Sequence, residues 1–160
     1  MNNLSLIVAI GKNRELGKDN DLIWHFKDDM KFFRKTTNNK TIIMGRKCFL
    51  SLPGLLPNRK HIILSTNKEY HVDGAIVMND MYEVLDYVKN TDDECFVIGG
   101  AQIYEMFLPY CNNLYITEID DAKDADVYFP EIDYELYNRN VIEEKEENNI
   151  KYKILLYRRK

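Results

Sequence analysis

Residues 95–108 read CFVIGGAQIYEMFL, and this stretch decides the fold. Residues 95–98 are a continuous apolar run, which is typical of a strand covered on both faces. Two glycines follow, and then a segment of helical period over residues 101–108. A strand that runs directly into a helix is the repeating unit of a mostly parallel α/β sheet. Glycines at a helix start also let the backbone approach a phosphate, although such a pair is more often a tight turn.

The same alternation extends outward over the whole chain, with no linker, repeat or low-complexity tract. The predicted strands are residues 4–10, 41–44, 61–65, 75–78, 95–98 and 114–119. The predicted helices are residues 27–36, 46–52, 81–89 and 101–108. Two alternating runs, 141–146 and 150–157, flank Asn148-Asn149 and predict an antiparallel hairpin at one edge. We therefore predict one α/β domain over residues 1–160, with a mostly parallel central sheet of about eight strands and about four flanking helices.

Composition excludes several classes of protein. The net charge of −4 over 160 residues argues against binding to nucleic acid or to a membrane surface, because both need a contiguous basic field. The apolar run 4–10 is too short for a signal core or a membrane span. The cysteines lack the paired spacing of a disulfide framework or a zinc site. The histidines form no ligand cluster, so they are expected at the surface or in ordinary packing. These residues are Cys48, Cys95, Cys111, His25, His61 and His71. We expect a cytoplasmic monomer with reduced thiols and no metal.

An acid-bearing apolar segment holds the only tryptophan of the chain. Residues 22–33 read LIWHFKDDMKFF. Because an unpaired carboxylate is costly to bury, an acid among aromatics indicates a pocket for a cationic or amide-bearing ligand. At helical spacing, Asp29 shares a face with Phe32 and Phe33, whereas Asp28 shares one with two lysines. We therefore predict that Asp29 is the pocket acid and Asp28 a solvated charge, although a first-turn acid can also simply complement the helix dipole.

A glycine and two cations follow the second predicted strand, namely Gly45, Arg46 and Lys47. Cations at a helix start oppose the helix dipole, which favours an anion bound between them over a merely solvated pair. Residues 11–18 are not a phosphate-binding P-loop, because five residues instead of four separate the glycines and Asp19 follows where Ser or Thr is required. A G-x-G-x-x-G dinucleotide motif is also missing from the sequence.

Six motifs in order resemble the dihydrofolate reductase family of the bacterial chromosomal type, over essentially the whole chain. They are Leu22-x-Trp24 before an acid-bearing helix, Ile43-Met44-Gly45-Arg46, Leu56-Pro57-x-Arg59, Val97-Ile98-Gly99-Gly100, Leu114-Tyr115-Ile116-Thr117 and Phe129-Pro130. The resemblance implies NADPH-dependent reduction of 7,8-dihydrofolate to 5,6,7,8-tetrahydrofolate, with hydride transfer to C6 and protonation of N5. Such an enzyme supplies one-carbon metabolism and is a target of antifolates.

The resemblance also implies the roles of individual residues. Asp29 matches the ionisable group that binds the pterin, Thr117 the hydroxyl that supports it through water, and Arg59 the guanidinium that grips the glutamate carboxylate. The implied catalytic residues are Leu22, Trp24, Asp29 and Thr117. The implied substrate-binding residues are Ile7, Val8, Asp29, Met30, Phe33, Leu52, Leu56, Arg59, Ile98 and Thr117. The implied cofactor-binding residues are Ala9, Leu16, Gly17, Leu22, Gly45, Arg46, Lys47, Cys48, Leu64, Ser65, Thr66, Gly99, Gly100, Ala101, Gln102, Ile103 and Tyr104.

Further features of the family carry over by position. A cis peptide is implied between Gly99 and Gly100, and residues 16–24 are implied as a mobile lid over the nicotinamide. Four cations would focus positive charge at the site, namely Arg34, Arg46, Lys47 and Arg59. The sequence departs from the family pattern at four positions, where two prolines, a threonine and a phosphate-binding arginine are common. These positions are Ile23, Lys27, Cys48 and Gln102. The first two changes are expected to loosen the lid and the helix start, and the last two to affect cofactor affinity.

Two alternative functions stay open at this point. A reductase of pyrimidine intermediates in flavin synthesis shares the fold and the cofactor, but Asp29 together with Arg59 suits a pterin that carries a glutamate tail. A non-enzymatic receiver domain is also a small α/β protein with an acidic pair. Its acids directly follow the first strand, whereas Asp28 and Asp29 come at a later helix start.

Overall fold

A computed structural model of the protein describes residues 1–19 and 21–160. Among the described residues the strands are β1 (Leu4–Ile10), β2 (Glu15–Lys18), β3 (Asp21–Leu22), β4 (Thr41–Gly45), β5 (Lys60–Leu64), β6 (Ile76–Met78), β7 (Cys95–Gly99), β8 (Asn113–Ile119), β9 (Val127–Tyr128), β10 (Tyr137–Glu147) and β11 (Ile150–Arg159). The helices are α1 (Lys27–Thr37), α2 (Arg46–Ser51), α3 (Met81–Lys89) and α4 (Ala101–Phe107), with short 3₁₀ turns at Leu108–Tyr110 and Tyr134–Leu136. No helix in these ranges is long and apolar enough to cross a membrane.

The main sheet has eight strands in the order β10-β11-β8-β1-β7-β4-β5-β6. The six strands from β8 to β6 are parallel to one another, and β10 and β11 add an antiparallel edge next to β8. The predicted α/β class, the mostly parallel sheet and the C-terminal hairpin are therefore confirmed. The hairpin turns at Asn148 and Asn149, which both have positive φ, as a two-residue turn requires.

A second sheet of three short strands, β3-β2-β9, was not predicted. These strands contain two to four residues each, which is too short to produce a periodic signal. β2 and β3 include residues 16–18 and 21–22 of the predicted lid, so this part of it is a paired ribbon and not a loop. Asn20, which lies inside the predicted lid, is outside the described residues.

The two faces of the main sheet carry separate apolar clusters, because side chains alternate along each strand. In β1, Leu6 and Val8 belong to the larger cluster beneath α3 and α4, whereas Ile7 belongs to a cluster on the other face. We call the cluster on the Ile7 face the α1-side cluster. It contains Ile7, Phe32, Phe33, Ile42, Met44, Cys48, Phe49, Leu52, Leu56, Ile63, Tyr70, Val72, Ala75, Val77, Phe96, Ile98 and Tyr115. This face carries five of the predicted substrate residues, Ile7, Phe33, Leu52, Leu56 and Ile98.

Candidate active site

The candidate site centres on a carboxylate that α1 places against β8. Asp29 lies in the first turn of α1, and the Thr117 hydroxyl donates a hydrogen bond to its Oδ1 at 2.6 Å. Thr117 is 4% exposed and lies in the interior of the sheet. The structure thus brings together two residues that are 88 apart in the sequence.

The environment of Asp29 differs from that of its neighbour Asp28. Burial raises the pKa of Asp29 above 3.8, the Thr117 hydrogen bond opposes the rise, and the charge of Glu147 adds to it. Asp28 is exposed and lies 3.7 Å from the Lys145 ammonium. The helical spacing therefore selected the carboxylate that is half-buried and bonded to the sheet.

An apolar wall surrounds the carboxylate. Five predicted substrate residues, Ile7, Phe33, Leu52, Leu56 and Ile98, belong to the α1-side cluster. Two others do not belong to it. The side chain of Val8 packs on the opposite face of the sheet, because the alternation of β1 turns it away from Ile7, and only its backbone can face the site. Met30 is 45% exposed on α1.

The loop before β5 presents a guanidinium at one end of this wall. Arg59 donates from Nη2 to the carbonyl of Arg34 at 2.7 Å, from Nη1 to the carbonyl of Pro57 at 2.6 Å, and from Nε to the Thr37 hydroxyl at 3.2 Å. These acceptors are neutral, and among the described residues no carboxylate lies within salt-bridge distance of Arg59. Burial lowers the pKa of Arg59 below its ordinary value, and the charge of Arg34 lowers it further. A bound anion would therefore be favourable at this position.

The predicted cofactor segments end side by side because β7, β4 and β5 are neighbours in the sheet. Met44 pairs with Gly99, and Gly45 pairs with Leu64. The peptide bond between Gly99 and Gly100 is cis, as the resemblance implied. Gly99 has a φ of 141°, which side chains rarely adopt, and a Cβ at Gly100 would meet nothing within 4 Å. The backbone at Gly100 therefore faces open space.

The residues after these strands line the same edge. A Cβ at Gly45 would lie only 3.0 Å from Ile103, so α4 packs closely against the end of β4. Ser65 is buried, with its carbonyl bonded by Asn79 at 2.9 Å, whereas Thr66 is exposed. Ala101 begins α4 and Gln102 is exposed in its first turn.

Two cations stand at the start of α2, next to this edge. Arg46 and Lys47 are exposed, and in the described part of the chain neither is paired with a carboxylate. The guanidinium of Arg46 lies 5.3 Å above the Tyr70 ring in a cation–π contact. That contact fixes the side chain while leaving its N–H donors available to an anion.

The carboxyl ends of β4, β5 and β7 form an edge that we call the cofactor edge. A buried phenol, Tyr104, lies where the α1-side cluster meets this edge. The Tyr104 hydroxyl is within hydrogen-bond distance of the carbonyls of Ile7, at 2.8 Å, and Ile98, at 2.7 Å. It therefore joins β1 to β7 at the strand ends. Burial raises the pKa of the nearby Cys48 thiol to about 11, so this residue stays a neutral thiol.

The lid is held by the segment that follows β8. Gly17 pairs with Leu22 and with Val127, and the carbonyl of Gly17 accepts from the Asp126 amide at 3.0 Å. The Asp126 carboxylate in turn accepts from the Asp19 amide at 3.0 Å. Leu22 itself is 55% exposed at the edge of this ribbon, and Leu16 packs against the larger cluster.

Sequence reasoning missed two carboxylates that tie the lid to the same segment. Glu15, only 1% exposed, accepts through Oε2 from the Lys123 amide at 2.8 Å. Asp121 accepts from the indole Nε1 of Trp24 at 3.0 Å, while Trp24 packs with Ala9 beside the Phe26 cluster. For Asp121 the available signal was the acid-rich run DDAKDAD, residues 120–126, which directly follows the carboxyl end of β8, where site residues of open α/β sheets collect.

The comparisons with known proteins agree with this arrangement. A model of the family described as dihydrofolate reductase matches residues 3–159. A dihydrofolate reductase of Bacillus subtilis (strain 168) is 40% identical over 160 residues, covering 98% of this chain and 95% of the relative. One of Buchnera aphidicola subsp. Acyrthosiphon pisum is 41% identical over 136 residues, covering 84% and 82%.

A solved structure gives the same result in three dimensions. The dihydrofolate reductase from Enterococcus faecalis, complexed with NADP(H) and RAB-propyl, superposes with a TM-score of 0.86 at 32% identity. The match covers 98% of this chain and 95% of that chain. This chain belongs to the dihydrofolate reductase family.

Proposed function

We propose that this chain reduces 7,8-dihydrofolate to 5,6,7,8-tetrahydrofolate with NADPH. The observation that carries this proposal is the pair of Asp29 and Thr117 in an apolar pocket of a dihydrofolate reductase fold. Family membership favours this reaction over that of the pyrimidine reductase. It also argues against a receiver domain, whose function does not need an apolar pocket around a carboxylate.

Asp29 is the proposed anchor of the pterin ring. Its Oδ1 is occupied by Thr117, whereas Oδ2 accepts no hydrogen bond from the described residues and is not sealed from solvent. A pterin presents an amidine-like edge of N–H donors, which a half-buried carboxylate binds strongly because the bonds are charge-assisted. The negative charge at this site would also stabilise a pterin protonated at N5.

Arg59 is the proposed anchor of the substrate tail. Three neutral oxygens hold the guanidinium in one orientation, and its charge has no carboxylate partner among the described residues. A glutamate carboxylate from the substrate would supply that partner in a geometry that suits the planar fork. The apolar wall between Asp29 and Arg59 would contact the pterin and benzoyl groups.

The residues at the cofactor edge fit NADPH. Gly100 leaves the backbone open between the end of β7 and the start of α4, because a Cβ there would meet nothing within 4 Å, so a ring or phosphate can approach closely. Arg46 and Lys47 supply unpaired positive charge for phosphates, including the 2′-phosphate, beside Ser65. NADPH, when bound, supplies the hydride for C6 of the pterin.

The remaining residues control orientation and water. The bond from Trp24 to Asp121 holds the lid end beside α1, and Leu22 lies at the lid edge, where closure over the site would exclude water. We propose that Asp29 assists proton delivery to N5 in this dry pocket. Tyr104 holds β1 against β7 and so sets the separation of the two strand ends.

We further propose that residues 1–160 act as one catalytic unit, as a cytoplasmic monomer that binds no nucleic acid. The net charge of −4 supports the absence of nucleic-acid binding, and the Asp29–Thr117 pair within this one chain supports the monomer. Light scattering on a gel-filtration column would measure the molar mass, and a dimer would contradict the proposed monomer.

One assay tests the reaction. The purified protein is mixed with NADPH and dihydrofolate, and the fall of the cofactor absorbance is followed. We expect turnover that needs both compounds and that Asp29→Asn largely abolishes. A protein that binds NADPH but does not oxidise it in the presence of dihydrofolate would contradict the proposal.

A further inference from the structure

One buried histidine has no part in the mechanism above, although it touches the loop that presents Arg59. His61 is the second residue of β5 and is 2% exposed. Its Nε2 accepts a hydrogen bond from the Leu56 amide at 3.0 Å. Its Nδ1 lies 3.2 Å from the carbonyl of Arg59. The ring therefore bridges both ends of the loop over residues 56–59.

These two contacts fix the protonation state of the ring. Because an amide can only donate, Nε2 must be the unprotonated nitrogen, and Nδ1 then carries the hydrogen that it donates to Arg59. The imidazole that holds the loop is thus neutral. A second proton would place an N–H of His61 against the N–H of Leu56, and the bond would become a repulsive contact.

The surroundings disfavour that second proton. From α2 the ring meets the edge of Phe49, with centroids 6.4 Å apart, and in β4 its register neighbour is the uncharged Ile42. The positive charge of Arg59 acts on the His61 ring. The adjacent Lys60 forms an ion pair with Asp93 at 3.4 Å. Burial lowers the pKa of His61 below 6.5 and the charge of Arg59 lowers it further, while the hydrogen bond to the Arg59 carbonyl raises it.

We propose that His61 is a positioning residue for the carboxylate tail of the substrate, and that its neutral imidazole holds Leu56 and Arg59 in their binding positions. The proposal rests on the proposed function, since it assigns Arg59 to the tail. Protonation of His61 opens the bridge, displaces the Arg59 backbone and weakens tail binding. Binding of the pterin at Asp29, on a different element, is unaffected.

The expected pH dependence has a definite sign. A folded-state pKa below the ordinary 6.5 means that the bridge is intact above 6.5 and is lost as the pH falls through the folded value. Affinity for a tail-bearing substrate therefore falls in acid. The carboxylates of the tail titrate below about pH 4.5, so they remain charged in this window.

The test compares two substrates across pH. We would measure kcat/KM, at saturating NADPH, for dihydrofolate and for a reduced pterin without the benzoylglutamate tail. The ratio of the two values cancels the titration of Asp29 and of the pterin, which both substrates share. For the wild type we expect the ratio to fall as the pH is lowered from about 7.5 into the acid range, on the order of tenfold once the bridge is lost, through KM and not kcat.

Three variants separate positioning from plain structure. His61→Gln keeps an acceptor for the Leu56 amide but does not titrate, so its ratio should be high and independent of pH. His61→Ala should lose on the order of tenfold in the ratio at every pH, again through KM. His71→Gln is the matched control, because His71 is exposed beside Asp73, and it should keep the wild-type profile.

The outcomes are distinguishable. A wild-type ratio that does not change with pH would overturn the role of His61, even if no variant folds. The same conclusion follows if His61→Gln retains the acid loss of the wild type. If the wild type oxidises no NADPH with dihydrofolate at any pH, the proposed function itself fails instead.

Discussion

Replacing Asp29 by Asn should abolish most of the activity while making the protein more stable. The amide is nearly isosteric, and its oxygen can still accept the hydrogen bond that Thr117 donates at 2.6 Å. The geometry of α1 and β8 is therefore retained, and the change removes only the negative charge. Activity should fall and stability should rise, because the negative charge of Asp29 binds the substrate but lowers the free energy of unfolding of the ligand-free protein.

The size of the activity loss follows from the two tasks of the carboxylate. Charge-assisted hydrogen bonds to the pterin are worth about 1.5–3 kcal/mol, and general-acid assistance is worth about 10²–10⁴ in rate. We expect single-turnover hydride transfer to slow by about 10²–10⁴ at neutral pH, with NADPH binding unchanged. Acid should restore part of the rate, since solvent then protonates the pterin.

The stability effect has the opposite sign. The pKa of Asp29 is raised by burial, so the protonated form stabilises the fold below pH 3.8, and this stability is lost as the pH rises through the folded pKa. At neutral pH the ionised group is a net cost that Asn lacks. Urea unfolding should show Asp29→Asn to be more stable than the wild type near neutrality, with the difference disappearing in acid.

Asp28→Asn is the control for both measurements. Asp28 is exposed and its ion pair with Lys145 at 3.7 Å is worth at most about 1 kcal/mol, so activity should be nearly unchanged. A fully active Asp29→Asn, or an inactive Asp28→Asn, would refute the assignment of the carboxylate. An inactive Asp29→Asn that is also destabilised would mean that the charge serves the fold.

Three further predictions concern other groups. Arg46→Ala should weaken NADPH binding by about 1.5–3 kcal/mol and leave NADH nearly unaffected, as calorimetric titration would show, and equal losses would exclude a 2′-phosphate contact. Arg59→Lys should raise KM for dihydrofolate far more than for a tail-less pterin, because one ammonium cannot replace the fork, whereas equal losses would make Arg59 structural. The Lys27 amide donates to the Glu147 carboxylate at 3.1 Å, so Glu147→Ala should lower the free energy of unfolding in urea by about 0.5–2 kcal/mol. The same change should cost little in a Lys27→Pro background, which lacks that N–H, and an undiminished cost there would rule out this helix cap.

That helix cap illustrates how much of the site was predictable. The sequence identified Lys27 as a departure from the usual proline, and it was expected to loosen the start of α1. The structure shows the freed amide bonded to a carboxylate 120 residues away, at the end of β10. Glu147 also acts on the pKa of Asp29. The residues around Lys27 do not predict this partner, because the β10–β11 hairpin and α1 come together only in the folded protein.

The lid gives the same lesson on a larger scale. Residues 16–24 were predicted as a mobile loop, yet two short strands and the amide of Asp19 attach it to residues 126–128. Val8 is the reverse case, since its position matched a pocket residue while strand alternation turns its side chain to the opposite face. Both differences concern which distant surfaces meet in the folded protein.

The sequence by itself determined the strand–helix alternation, the hairpin turn at Asn148 and Asn149, and the choice of Asp29 over Asp28. Each of these depends on the spacing of neighbouring residues, because side-chain direction repeats every two residues in a strand and every 3.6 in a helix. Only the tertiary structure decided that Thr117 meets Asp29, that the Glu15 carboxylate meets the Lys123 amide, and that His61 bridges the loop of Arg59. Such contacts depend on strand order and on the packing of α1 against the sheet, which no single stretch of sequence encodes.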